Sequence, residues 1–334
     1  MHHIVLIEGD GIGPEITASV LSILEATNVD ITWIPARAGM GAYVKTGNPL
    51  PDETVDLIEK HKIALKGPLT TPVGSGFRSI NVALRQKFNL YCNIRPAKTL
   101  PGVPSRFGSV DLVTFRENTQ GMYIGQERWI DKEKNQAESI AVITREASER
   151  IIRAAFEYAV KHGRSRVSLI HKANILKYTT GLFLKVGQEV ALEFPDIAFN
   201  DMIVDNTAMQ MVMRPEIFDI IVTTNLFGDI LSDLASGLVG GLGVTGSANM
   251  GDEHAIFEAV HGSAPDIAGQ GKANPTALLL SALLMLDHIG ETEKADKIRK
   301  ALYKTLIHKE VITADLGGEG NTQIFTDAVV SNIR

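Results

Sequence analysis

Apolar runs of strand length alternate with segments of helical periodicity along most of the chain. The first series predicts strands in HIVLIE, DITWIP and KIALKG, with helices at Glu15–Ala26 and Asp52–Lys60 between them. A second series contains VDLVTFRE, RVSLIHKANI, IAFNDMIVDN and FDIIVTTNLFGDILSDLASGL, together with an amphipathic helix at Arg145–His162. This alternation is typical of an α/β protein.

The first predicted strand continues into IEGDGIGPEI, residues 7–16, which has the composition of a phosphate-binding loop. The G-x-G-x-x-G pattern of dinucleotide-binding folds requires a third glycine at position 14, after Gly9 and Gly11, but that position is Pro14. Proline suits the first turn of a helix, where a missing N–H costs nothing. The stretch therefore opens an α/β unit, and any nucleotide site must lie elsewhere.

The length of the chain favours two domains, because 334 residues exceed the size of most single cores. A Pro-rich stretch, RPAKTLPGVPSRFG, and a Gly-rich stretch, GGLGVTGSANMGD, are the two places where the chain can cross between domains. We therefore predict a discontinuous large domain from residues 1–97 and 251–334, and a small domain from residues 98–250.

The composition argues against several classes of protein. A net charge of −6 and a pI near 5.9 disfavour nucleic-acid binding, so an anionic substrate would need a local arginine cluster. Cys92 is the only cysteine, which excludes an intrachain disulfide and predicts a reducing compartment, the cytoplasm. The longest apolar stretch, ALLLSALLMLDHIG, is too short to span a membrane and predicts a buried helix.

Three acidic residues predict a metal site. Asp229 and Asp233 lie four residues apart in FGDILSDL, on one face of the helix that begins there, and Asp205 lies at the end of a predicted strand in MIVDN. The first two alone fit a solvated acidic helix start equally well. Three carboxylates near strand ends, however, suit a hard divalent cation, Mg²⁺ or Mn²⁺, and no His/Cys grouping at zinc spacing competes.

Polar and cationic residues after a Gly-rich turn predict a pocket for a polycarboxylate. In GSGFRSINVALR, Gly74 and Gly76 precede a helix whose N-terminal turn offers a hydroxyl, an amide and an arginine to an anion. Each residue taken singly is better explained as a helix cap or a surface charge. Two further arginines near strand ends complete the candidate set: Ser79, Asn81, Arg85, Arg95 and Arg116.

Two residues are candidates for proton transfer. Lys172 ends an apolar strand in LIHKANI, where a lysine is costly to bury unless it is paired. Tyr123 lies in QGMYIGQE. Taken alone, Lys172 is more often a solubilising residue at a strand end, and Tyr123 is more often a core aromatic residue with a hydrated hydroxyl.

A polar, Gly-rich loop in FEAVHGSAPDIAGQGKANPTALLL precedes the predicted buried helix. A long ordered loop of this kind is more often functional than idle. An acidic side chain in it can accept hydrogen bonds from both ribose hydroxyls of NAD and would repel the 2′-phosphate of NADP. The candidate cofactor residues are Glu258, His261, Gly262, Ala264, Asp266 and Asn274.

Several of these stretches together resemble a known family. GDGIGPEI, RENTQGMYIG, HKANI, NLFGDILSDL, GGLG and HGSAPDIAG…NP are similar to landmarks of the β-decarboxylating dehydrogenases, which include isocitrate, homoisocitrate and 3-isopropylmalate dehydrogenases. The resemblance covers nearly the whole chain. It implies an isocitrate/isopropylmalate dehydrogenase-like fold of two α/β domains around a central cleft, which is not a Rossmann fold and agrees with the failed count at Pro14.

The resemblance also implies a role for each candidate. The malate part of the substrate would be bound by Arg85, Arg95 and Arg116. Proton transfer would fall to Tyr123 and Lys172. Mg²⁺ or Mn²⁺ would be held by Asp205, Asp229 and Asp233. The residues nearest NAD would be His261, Asp266, Ile267 and Asn274. Gln120 departs mildly from the family, which commonly has glutamate there, and no loss of activity is expected from it.

In such enzymes each active site is shared across a homodimer, so Lys172 and Asp205 would reach into the partner's cleft and a monomer would be inactive. Lys172 would take the proton of the substrate hydroxyl as hydride passes to nicotinamide. The cation would act as a Lewis acid while CO₂ leaves. Tyr123 would then protonate carbon as a neutral phenol near a cation such as the Lys172 ammonium.

The leading hypothesis is an NAD-dependent isocitrate dehydrogenase acting on a tricarboxylate, because the RSIN stretch matches isocitrate-specific relatives and Ser79 and Asn81 would meet the third carboxylate. Homoisocitrate dehydrogenase is the alternative, since IVDNTAMQMVMRPEIFDIIVTTN resembles that enzyme. A catalytically silent regulatory subunit is a further alternative. The complete set of candidate residues argues against it.

Overall fold

The computed structural model describes residues 1–71 and 79–334. The strands in the described residues are β1 (His2–Ile7), β2 (Ile31–Ala36), β3 (Ile63–Lys66), β4 (Cys92–Lys98), β5 (Asp111–Glu117), β6 (Glu127–Trp129), β7 (Ala137–Ser139), β8 (Arg166–His171), β9 (Ala198–Ile203), β10 (Ile220–Thr223), β11 (Gly246–Met250) and β12 (Ala255–Ala259). The helices are α1 (Gly13–Glu25), α2 (Met40–Thr46), α3 (Asp52–His61), α4 (Ile80–Lys87), α5 (Arg145–His162), α6 (Thr179–Ala191), α7 (Val204–Met213), α8 (Asn225–Val239), α9 (Thr276–His288), α10 (Thr292–Leu306) and α11 (Thr322–Ile333).

A large mixed sheet with helices packed against it confirms the predicted α/β fold. The strands follow the order β2-β1-β3-β12-β11-β4-β5-β10-β8-β9, and β6 and β7 form a separate antiparallel ribbon. The first four strands are parallel to one another, and so are the last four. Three antiparallel pairings in the middle reverse the direction, so the two parallel groups run in opposite directions.

Two strands in the middle of the sheet lie at the stretches that the sequence predicts as crossings. β4 runs into the Pro-rich stretch, which begins at Arg95, and β11 lies in the Gly-rich stretch. The two strands pair with each other, with Asn93 opposite Asn249. The domain boundaries themselves stay a prediction.

Local sequence signals account for several element boundaries. Residues 4–7 of β1 are all buried, as expected for a parallel strand covered on both faces. The helix predicted at Arg145–His162 has those bounds: the Thr144 side chain accepts a hydrogen bond from the N–H of Ala147, and Gly163 ends the helix in the left-handed conformation. The predicted buried helix is α9. No helix in the described ranges has the length and apolar character needed to cross a membrane.

The opening stretch IEGDGIGPEI forms a packing junction. The Asp10 carboxylate accepts hydrogen bonds from three backbone N–H groups, those of Met40, Gly41 and Thr70. The N–H of Ile12 donates to the carbonyl of Ser263, and a Cβ on Gly11 would lie only 1.9 Å from that oxygen. The stretch therefore fixes the loop after β12 against the start of the chain.

Two sequence-based placements need correction. Asp205 does not end a strand; β9 ends at Ile203 and Asp205 lies in the first turn of α7, since the helix begins at Val204. Ser79 precedes the first turn of α4, and its hydroxyl makes no capping hydrogen bond to a described residue. Gly74 and Gly76 lie outside the described residues.

Candidate active site

A polar cavity of about 310 Å³ is lined by residues from both parallel groups of the sheet. All five predicted substrate residues line it, with Tyr123, Asp229 and the beginning of the predicted cofactor loop. Its full lining is Lys66, Pro68, Leu69, Ser79, Asn81, Val82, Arg85, Arg95, Arg116, Tyr123, Asp229, Ser247, Glu258, Ala259, Val260, His261 and Gly262.

The N-terminal half of α8 holds two of the cavity's arginines. Arg116, which is buried, donates to the side chains of Asn225 and Asp229. Arg95 donates through Nη1 to Ser232 Oγ at 2.7 Å and to Asp233 Oδ1 at 2.9 Å. Residues 225, 229, 232 and 233 share one helix face, so the predicted helical spacing of the two aspartates is confirmed.

The two aspartates have different electrostatic environments. Burial tends to raise the pKa of Asp229, but the charge of Arg116, a hydrogen bond from Tyr123 and the charge of Arg95 lower it below its usual value. Burial raises the pKa of Asp233, and the charge of Asp229 adds to this rise, while Arg95 opposes it. Asp229 is therefore ionised near neutral pH.

Tyr123 is held as a neutral phenol. Its hydroxyl donates to Asp229 Oδ2 at 2.5 Å, and the guanidinium carbon of Arg116 lies 5.0 Å from the centre of its ring. Burial and the contact with Asp229 raise the pKa of Tyr123. Among the described residues of one chain, the cation beside this phenol is Arg116. The approach of the partner subunit's Lys172 to Tyr123 stays a prediction.

The Glu258 carboxylate contacts three side chains at one wall of the cavity. Its carboxylate lies 2.6 Å from Lys66 Nζ, accepts from Arg85 Nη2 at 3.2 Å and accepts from Asn249 Nδ2 at 2.8 Å. Burial tends to raise the pKa of Glu258, but the charges of Lys66 and Arg85 hold it well below its usual value. Glu258 therefore fixes Arg85 and Lys66, and its predicted contact with the cofactor stays a prediction.

Lys66 is a cavity residue that sequence reasoning missed. It is almost completely buried at the end of β3, and besides Glu258 it contacts the carbonyl of Gly67 at 3.2 Å. The signal was a lysine at the end of the apolar run KIALK, which is the feature that singled out Lys172.

Several polar atoms at the cavity lack partners within residues 1–71 and 79–334. They are Asn81 Oδ1, Arg85 Nε, Arg95 Nε and His261 Nε2, all of which are buried. Buried polar atoms are almost always hydrogen-bonded in a native protein. Four such atoms in residues that line one cavity therefore favour a polar ligand there.

Lys172 and Asp205 form a separate pair, away from the cavity lining. Lys172 Nζ donates to Asp205 Oδ1, and this hydrogen bond lowers the pKa of Asp205. The Asp205 side chain is 68% exposed. Among the described residues no cluster of three acidic, histidine or cysteine side chains could hold a metal, so one chain does not assemble the predicted three-aspartate site.

The predicted cofactor loop begins at the cavity and continues away from it. His261 and Gly262 belong to the cavity lining, and burial lowers the pKa of His261. Ala264 has a left-handed backbone, with φ of 37°. Asp266 is exposed and Ile267 is partly buried.

Asn274, at the end of this loop, has a structural use. Its Oδ1 accepts from the N–H of Thr276 at 3.0 Å, where α9 begins, and its Nδ2 donates to Asp315 Oδ2 at 2.9 Å. Each end of the amide therefore has a structural contact, and the predicted cofactor contact of Asn274 stays a prediction.

The chain is similar to dehydrogenases over its whole length. The isocitrate/isopropylmalate dehydrogenase family profile matches residues 3–331. Catalytic subunit 5 of the mitochondrial NAD isocitrate dehydrogenase of Arabidopsis thaliana is 47% identical over 98% of this chain and 87% of its own. The isocitrate/homoisocitrate dehydrogenase of Thermus thermophilus is 49% identical, over 100% and 99% of the two chains. The crystal structure of isocitrate dehydrogenase from Methylococcus capsulatus has a TM-score of 0.97 at 54% identity and covers both chains completely.

Proposed function

Because the chain belongs to the isocitrate/isopropylmalate dehydrogenase family, we propose that it catalyses the NAD-dependent oxidative decarboxylation of isocitrate to 2-oxoglutarate and CO₂. The observation that supports a polycarboxylate substrate is the cavity, where Arg85, Arg95 and Arg116 lie beside buried polar atoms that have no partner among residues 1–71 and 79–334. Three guanidinium groups in one partly enclosed space suit a substrate with several carboxylates.

Ser79 and Asn81 support isocitrate over 3-isopropylmalate. Both residues line the cavity: Ser79 directly precedes α4 and Asn81 lies in its first turn. The Ser79 hydroxyl makes no capping hydrogen bond to a described residue. An isopropyl group would leave this hydroxyl and the Asn81 amide without partners, which is costly in a closed site. The third carboxylate of isocitrate can accept from them. Homoisocitrate carries that carboxylate one methylene farther out and stays the alternative.

The donor set on α8 fits a hard divalent cation, Mg²⁺ or Mn²⁺. Asp229 and Asp233 offer carboxylate oxygens on one helix face, and Asp229 is ionised at neutral pH. When bound, such a cation withdraws electron density from substrate oxygens as CO₂ leaves. Asp205 would be the third carboxylate, supplied from a second subunit because it does not join the other two within one chain.

The remaining chemistry is proton transfer by two side chains. We assign Lys172 to accept the proton of the substrate hydroxyl, with Asp205 holding its ammonium group when it is charged. We assign Tyr123 to protonate carbon after CO₂ leaves, because burial and Asp229 keep its phenol neutral and able to donate. Arg116, stacked on the ring, restrains the phenol in the cavity.

Because Lys172 and Asp205 would act at the cavity of another chain, this proposal requires a homodimer. Large apolar side chains are exposed on the same elements that carry Lys172 and Asp205: Ile175 and Tyr178 follow β8, and Met209 and Met213 lie on α7. Exposed large apolar side chains near both residues favour an association site at α7 and the segment after β8. Two copies packed through α7 and its surroundings would bring the Lys172–Asp205 pair of one chain to the cavity of the other.

The cofactor prediction is a preference for NAD over NADP. His261 Nε2 is buried at the cavity wall without a partner among the described residues, which fits a ligand entering along this loop, and Asp266 is exposed farther along it. A carboxylate facing a phosphate in a partly desolvated site costs about 2 kcal/mol or more, which is well over tenfold in affinity. We expect kcat/KM for NAD to exceed that for NADP by at least this factor. Asp266→Asn should narrow the ratio, and equal values in the wild type would contradict the assignment.

The substrate test compares isocitrate, homoisocitrate and 3-isopropylmalate in one NADH-production assay, with and without a chelator. We expect the highest kcat/KM for isocitrate, the lowest for 3-isopropylmalate, and no turnover with the chelator. Ser79→Glu should suppress isocitrate use by like-charge repulsion, whereas Ser79→Ala, the uncharged control, should lose much less.

Three outcomes would contradict parts of the proposed function. A higher kcat/KM for homoisocitrate would favour the alternative substrate. Unchanged isocitrate turnover in Ser79→Glu would contradict the role of this residue. Inactivity of the pure chain with all three substrates would favour a regulatory subunit.

A further inference from the structure

We propose that Asn225 is a positioning residue of this site: it fixes the Arg116 guanidinium without neutralising it and ties the Tyr123-bearing loop to α8. The inference rests on the proposed function. Asn225 is the first residue of α8 and is 1% exposed, so it contacts no substrate and acts through its neighbours.

The acceptor half of the amide holds Arg116. Asn225 Oδ1 accepts from Arg116 Nε at 3.0 Å and from Nη2 at 2.7 Å, which fixes the plane of the guanidinium. The third nitrogen, Nη1, is left for Asp229 and for the cavity. A Cβ on Gly228 would lie 2.6 Å from Arg116 Cγ and 2.7 Å from Arg116 Cβ, so the helix backbone also closes on the stem of the side chain.

The donor half of the amide holds a loop. Asn225 Nδ2 donates to the carbonyl of Gln120 at 3.1 Å. From the other side, Gln120 Oε1 accepts from the N–H of Thr144 at 2.9 Å, and the N–H of Gly121 donates to the carbonyl of Val142 at 2.8 Å. Gln120 and Gly121, three and two residues before Tyr123, are therefore held by α8 on one side and by Val142 and Thr144 on the other.

The neutrality of Asn225 has a functional consequence. An aspartate at this position could still accept from Arg116, but it would add a negative charge next to the guanidinium that binds the substrate carboxylate. In a buried site this charge would oppose the substrate and would leave the Gln120 carbonyl without its donor. Asparagine makes all three hydrogen bonds and adds no second carboxylate charge, besides Asp229, next to the Arg116 guanidinium.

The test compares Asn225→Asp with Asn200→Asp, which introduces the same charge at a β9 residue that accepts from Ser168 away from the cavity. For Asn225→Asp we expect KM for isocitrate to rise about tenfold or more, with KM for NAD within about twofold of wild type. Asn200→Asp should leave both KM values unchanged. A general structural defect would not raise KM for isocitrate while leaving KM for NAD nearly unchanged.

Asn225→Ala serves as a second variant if the aspartate variant does not fold by circular dichroism. It removes the two hydrogen bonds from Arg116 and the one to Gln120 without adding charge, so kcat should fall together with a rise in KM for isocitrate. A wild-type KM for isocitrate in either folded variant, or an equal rise in both KM values, would overturn the role of Asn225. An inactive wild type in the same assay would instead contradict the proposed function and remove the basis of the inference.

Discussion

Replacing Asp229 by asparagine should lower metal-supported kcat by about a hundredfold to a thousandfold while the fold persists. Asp229 is the residue on which the cavity's charges converge, because Arg116, Arg95 and Tyr123 all face its carboxylate. The substitution opens no cavity, but it removes the charge that pairs with the buried Arg116, so we expect a variant that folds with a lower free energy of unfolding.

The control for this variant is Asp296→Asn, which removes a carboxylate that pairs with Arg299 on α10, outside the cavity lining. It should retain wild-type kcat. Raising the Mn²⁺ concentration should not restore kcat in Asp229→Asn, and Mn²⁺ should raise the melting temperature of the wild type more than that of the variant. Turnover near the wild-type level would end the assignment of Asp229 to the metal.

Much of the fold could be predicted from local signals. The 3.6-residue period, the Thr144 cap and Gly163 define α5 to the residue, and the continuous apolar run of β1 marks a strand that is buried on both faces. The glycine count at Pro14 shows that the first stretch lacks the G-x-G-x-x-G pattern, and the structure adds that this stretch packs against Ser263.

The arrangement of the sheet could not be predicted in this way. β4 and β11 are separated by about 150 residues and pair only because the two parallel groups meet between them. Strand partners at such separations depend on global packing, which a periodicity does not encode. β9 passes directly into α7, so the placement of Asp205 depends on a boundary of one or two residues.

Residue types in the site were easier to predict than their contacts. The sequence identifies the arginines and aspartates individually. It does not show that Arg116 pairs with Asp229 and Asn225, or that the Asn274 side chain accepts from the first N–H of α9. Lys66 and Asn225 were missed because a single buried lysine or asparagine in a sequence carries no partner information. The cytoplasmic location predicted from Cys92 stays a prediction, since relatives of this chain include a mitochondrial enzyme.

The shared active site can be tested with two inactive variants. Tyr123 lines the cavity, whereas Lys172 pairs with Asp205 away from it, so the proposal places the two proton-transfer groups of each site on different subunits. Tyr123→Phe and Lys172→Met should each lower kcat by about a hundredfold or more, because each removes a proton-transfer group from both sites of a homodimer.

A heterodimer of these two variants, isolated through two different affinity tags, should recover about half of the wild-type activity. One of its sites combines both substitutions, but the other takes the intact Tyr123 from one subunit and the intact Lys172 from its partner. If both groups instead acted within one chain, each site would keep one defect and no activity would return. A heterodimer as inactive as its parents would therefore contradict the shared site, while the parental homodimers, purified with the same tags, control for the effect of the tags.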